Sequence, residues 1–91
     1  MALNLSGGYK VDYEKSNKIL VVLERLIEAL NKNGVQCEKI LLIANLMRAK
    51  KVVSVMDIRQ KIMLDMRPVY DNWKSTKEID DLLEEIYTLT D

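Results

Sequence analysis

Residues 54 to 78 read SVMDIRQKIMLDMRPVYDNWKSTKE, and how this stretch divides decides the fold. It holds two short apolar patterns with a few polar residues between them. Ile58 and Ile62, one helical turn apart, give the first an inner face. Val69, Tyr70 and Trp73 give the second, with Pro68 near its start. Ser54 opens a capping box, Ser-Val-Met-Asp, that places Asp57 at the third helical position. The reading is a helix over 55–63, a corner at 62–70 plugged by Leu64, and a shorter helix over 66–74. Asp65 is placed to cap that second helix, where Pro68 is tolerated because early amides lack partners.

Working outward, Ile19, Val22, Leu23, Leu26, Ile27 and Leu30 recur at helical spacing and predict a helix over 12–32. Asn33-Gly34 stops it, since glycine takes the left-handed cap conformation at little cost. A second helix is expected over 36–49. Its segment ILLIANLM is apolar around most of its circumference, as in a central, heavily buried element. The β-branched VVSV reads as a short extended link, and no partner strand is offered for it. Ser75-Thr76-Lys77-Glu78 is a second capping box that launches a helix over 77–89. There Ile79, Leu82, Leu83 and Ile86 form one stripe, with Asp80, Asp81, Glu84 and Glu85 opposite. The expectation is a small all-α domain of four to five helices over 12–91, containing a helix-turn-helix-like corner, after a flexible lead-in over 1–11.

Only three glycines and one proline among 91 residues suit a mostly helical chain with a single modest core. The formal net charge is zero, so no overall field draws the protein to nucleic acid or an anionic membrane. The charge is nevertheless uneven. Residues 1–76 hold 13 Lys/Arg against 8 Asp/Glu, a net of +5, and residues 77–91 hold one against six, a net of −5. Arg48, Lys50, Lys51, Arg59, Lys61, Arg67 and Lys74 face three acids within 48–74, a net of +4. A single cysteine allows no internal disulfide, which suits a reducing, cytoplasmic setting. The longest apolar runs, ILVVL and ILLIA, are far too short for a membrane span, and MALNLSGG lacks the features of a signal peptide.

With two steeply crossing helices sharing one small core, the central stretch looks like a helix-turn-helix. Its portion VYDNWKSTKE is similar to the end of the TetR-type DNA-binding motif, in which an apolar residue and Tyr precede an aromatic by three and a capped helix follows. The resemblance spans roughly residues 38–86 and is of low specificity. It departs from the pattern at Arg59, where a small residue is usual, and at Met63, where the turn usually carries glycine. The resemblance implies a small transcriptional regulator that binds duplex DNA as a dimer. Met66, Arg67, Asp71, Asn72 and Lys74 would lie on or beside the recognition helix. Arg67 would fork onto guanine and Asn72 onto adenine, while Lys50, Lys51, Arg59 and Lys61 hold phosphates. The competing reading is two helices at an ordinary bend with a solvated basic face.

An enzyme is not expected. There is no histidine to serve as a general base, no glycine-rich phosphate loop, and no pattern that calls for a cofactor or metal. Cys37, near a helix start, is more readily a small packed thiol than a nucleophile. The acids of the last helix read as a solvated face. Four of the five methionines (Met47, Met56, Met63, Met66) fall within twenty residues; such residues fill gaps in cores more often than they form adaptable surfaces. Tyr70 and Trp73 are expected to finish the core.

The rival functional class is a helical protein-binding module, an adaptor or inhibitor that does not touch DNA. Residues 19–27 carry more apolar side chains than one stripe needs, and Leu20, Val21 and Ile27 predict a homodimer seam. A dimer suits either class, so these features do not separate them.

Overall fold

A computed structural model describes residues 13–91; the lead-in expected over 1–11 lies outside the described residues. Four α-helices make up the domain: α1 (Tyr13–Lys32), α2 (Glu38–Arg48), α3 (Val55–Asp71) and α4 (Lys77–Leu89). No β-strand forms among the described residues, and the all-α expectation stands.

α1 organises the rest. Ile19, Leu23, Leu26 and Leu30 are fully buried along one stripe, with Val22 and Ala29 beside them. α1 packs closely on both α4 and α2, and α2 packs on α3. A helix held from two sides can bury a wider arc than one stripe. Leu20 and Ile27 occupy that wider arc, partly buried against the core. The homodimer seam expected there is therefore not presented as a surface: of its three residues only Val21 is exposed.

α2 is not the central element that its composition suggests. Ile40, Ile43, Ala44 and Met47 are buried, whereas Leu41 and Leu42 face outward. Its start is stabilised from a distance. Cys37, at the N-cap position, makes no side-chain cap, and the Ile40 amide donates instead to Asp65 Oδ2 at 2.7 Å. Asp65 thus caps a helix, as its residue type suggests, but that helix is α2 rather than a second half of α3.

The corner at residues 62–70 is absent. A single helix of 17 residues runs from Val55 to Asp71, through Pro68, where two helices over 55–63 and 66–74 were expected. The reason lies in register: Val55, Ile58, Ile62, Met66 and Val69 are all buried, and their three- and four-residue steps make one unbroken stripe. A break would withdraw Met66 and Val69 from the core. An interior proline costs on the order of 3 kcal/mol. Pro68 sits on the exposed side, where the carbonyl of Leu64, also exposed, can bind water in place of the missing amide. Burial of two large side chains, each contributing roughly 1.5–3 kcal/mol, offsets that cost.

Three turns close in the same way. Gly34, Lys50 and Trp73 each adopt positive φ (74°, 59° and 56°) one residue past a helix cap. Val35 N donates to Leu30 O, Lys51 N to Leu46 O, and Lys74 N to Val69 O, at 2.8–2.9 Å. These are Schellman closures, which favour glycine at the left-handed position. Only the first has glycine there. The two capped starts read from sequence both form, one with a shift. Ser54 Oγ accepts from Asp57 N, but the second cap is Thr76, whose Oγ1 accepts from Ile79 N, while Ser75 Oγ donates to Asp80.

Candidate functional site: the cleft between α3 and α4

α3 and α4 both pack into the core through their neighbours, and a cleft remains between their outer flanks. Its inner part, about 250 Å³, is lined by Met63, Met66, Arg67, Tyr70, Asp71, Leu83 and Tyr87. It continues along α4 past Arg59, Asp80, Glu84, Thr88 and Asp91. Met66 and Leu83 are buried and form its floor. The walls are apolar yet open: Met63 is 60% exposed, Tyr70 51% and Tyr87 41%, and Met56, outside the cleft lining, is 60% exposed. Met56, Met63 and Tyr70 are seven residues apart, and a separation of seven returns a helix to nearly the same face. The result is an apolar stripe about 21 Å long on the flank of α3, at 1.5 Å per residue.

Arg59 fixes one end of the cleft. Its Nε donates to Thr90 Oγ1 at 3.0 Å, and a terminal nitrogen donates to the Tyr87 carbonyl at 3.2 Å. Its guanidinium lies 5.5 Å from the centroid of the Tyr87 ring. A cation on the last carbonyls of α4 also complements that helix dipole. Thr90, buried, donates its own hydroxyl to Ile86 O, so the junction is fully satisfied. Partial burial, followed by the nearby Asp80 carboxylate, pushes the Tyr70 phenol up. Tyr70 lines the cleft from α3, together with Leu83 and Tyr87 of α4.

The residues expected to read DNA do not assemble on one face. Met66 is buried in the core and cannot touch a duplex, because its step from Ile62 keeps it on the inner stripe. Arg59 is committed to the end of α4. Asn72 is the C-cap of α3, and its side-chain amide donates to Pro68 O at 2.8 Å rather than projecting from a recognition helix. Lys50 and Lys51 precede α3 and border a separate cleft with Ser16, Asn17, Met47 and Arg48. Lys74 follows α3 at its far end, Lys61 is half-buried, and Arg67 and Asp71 are exposed beside the α3–α4 cleft.

The expectation that Tyr70 and Trp73 finish the core fails, for Trp73 is 92% exposed. Of the clustered methionines, only Met47 and Met66 are buried. Cys37 is a buried thiol, pushed above its ordinary value by burial and then by the charge of Asp65, as suits a packed residue rather than a nucleophile. Among the described residues no group of His, Cys, Asp and Glu gathers to hold a metal, and no helix is long and apolar enough to cross a membrane. Sequence reasoning missed the role of Leu83 and Tyr87 as cleft floor and wall; the seven-residue spacing of Met56, Met63 and Tyr70 was the available signal. Comparison of the chain with family models, with curated proteins and with solved structures finds no match.

Proposed function

We propose that this protein is a helical protein-binding module that engages its partner through the α3–α4 cleft. The observation that carries the reading is the exposed pair Met63 and Tyr70, facing Tyr87 over a floor of Met66 and Leu83, with Met56 also exposed seven residues before Met63. An exposed apolar cleft of this kind marks an interaction site, and methionine side chains adapt to varied partners. Aromatic residues beside them supply the anchors that dominate binding energy at interfaces. Trp73 strengthens the reading. A tryptophan in a left-handed, solvent-exposed position costs backbone energy and gains no burial in the fold.

The reading is tested by selecting binders from a displayed library of helical peptides, with the Met63→Glu variant as counter-selection. Binders of the native chain that lose affinity for Met63→Glu are the expected result. A library that yields none, or binders indifferent to Met63→Glu, overturns it. Duplex DNA at low salt is the companion measurement. A shift that weakens when Lys50 and Lys51 are changed to alanine, with a flatter salt dependence, restores the DNA-binding reading.

A further inference from the structure

We infer that the occupant of the cleft is an amphipathic α-helix whose apolar ridge is flanked by lysine or arginine on the side facing α4. The inference rests on the protein-binding reading and adds the chemistry of the partner. The shape argues for a helix: the stripe is straight, about four turns long, and bounded by two helices, and no open strand edge exists among the described residues for an extended peptide to join. A helical partner repeats its own ridge every seven residues, the spacing at which Met56, Met63 and Tyr70 stand on α3.

The charge argues for a basic flank. The α4 rim carries Asp80, Glu84 and Asp91. Glu84 and Asp91 have no ion-pair partner among the described residues, and Lys77 is spent on Asp81 at 2.8 Å. On the α3 rim stand Arg59, whose hydrogen bonds to Thr90 and the Tyr87 carbonyl leave its charge in place, and Arg67 beside Asp71. With Asp71, Asp80, Glu84 and Asp91 against Arg59 and Arg67, the cleft is an apolar trough whose lining has a net charge of −2, and complementary charge selects and orients the incoming helix.

Two designed peptides about four turns long test this, one with leucine at heptad-spaced ridge positions and lysine elsewhere, the other with glutamate replacing lysine. Binding is measured by fluorescence anisotropy to the full chain and to an Asp80→Lys/Glu84→Lys variant, whose helicity is checked by circular dichroism because both sites are exposed. The expected result is binding of the Leu/Lys peptide that is lost with Met63→Glu and weakened about tenfold by the double reversal, which in turn admits the Leu/Glu peptide. Preference of the native chain for the Leu/Glu peptide, or Leu/Lys binding untouched by the double reversal, overturns the inference. Either result leaves the protein-binding reading standing if library binders still depend on Met63. If neither designed peptide binds and the library yields nothing, both fall together.

Discussion

α1 and α3 both carry more apolar residues than a single stripe requires, and the structure treats the two surpluses differently. α1 lies between α2 and α4, so Leu20 and Ile27 find neighbours on its second side. α3 packs closely on α2 alone, so Met56, Met63 and Tyr70 stay exposed, the last two on the flank toward α4. The packing that a helix finds on its second side, and not its apolar count, decides whether an excess becomes core or surface. The apolar count of residues 19–30 therefore does not by itself mark a seam.

The sharpest way to break the comparison is to truncate a residue of the hidden surplus. Leu26, fully buried in α1, changed to Ala should lower stability by about 3 kcal/mol in urea denaturation, through lost transfer energy and a cavity. A cost below about 1 kcal/mol would mean that α1 is not the centre of the core.

Asp65 probes the α2–α3 contact. Asp65→Ala should cost about 1–2 kcal/mol, because the Ile40 amide loses its acceptor. Loss of that carboxylate should also bring the Cys37 thiol back toward its ordinary value of 9.0. In the native chain the unfolded state releases this proton at lower pH than the folded state. Stability present below about pH 9 is therefore lost as pH rises through the raised folded value. A Cys37→Ala variant should show a shallower alkaline decline, and identical slopes would show that the thiol titrates alike in both states.

Trp73 lies just past the C-cap of α3 and inverts the usual direction of mutation. Trp73→Gly should raise stability by roughly 1 kcal/mol, since glycine relieves the left-handed backbone and the exposed ring contributes no burial. A loss of stability would place the ring against the fold.

Much of the fold could be read before the structure. Helix α4 falls on its expected range, α1 within a residue, and Gly34 closes α1 as its conformational freedom suggests. The continuity of α3 was hidden by local signals that favour a break. Asp65 looks like a cap and Pro68 like a first-turn residue, and only the tertiary demand for Met66 and Val69 overrides them. The closures at Lys50 and Trp73 carry no glycine to announce them. The cleft was the least legible feature. Met63 and Tyr70 are ordinary core residue types; their spacing sets them off the buried stripe of α3, but the space left beside α4 is a tertiary feature that the spacing does not encode.

The smallest stability effect belongs to the exposed surplus, and it leads to the decisive measurement. Met63→Ala should change stability by less than about 0.5 kcal/mol, as for other surface positions. The central claim is that this same flank of α3 is where a partner helix sits. Amide chemical-shift mapping of the full chain, titrated with the Leu/Lys peptide, tests it most directly. The account predicts shifts at Met56, Met63, Arg67, Tyr70, Leu83 and Tyr87, with Leu41 and Leu42 on the outer side of α2 unmoved. Shifts gathered instead around Lys50 and Lys51, or spread evenly over every exposed apolar residue, would contradict it.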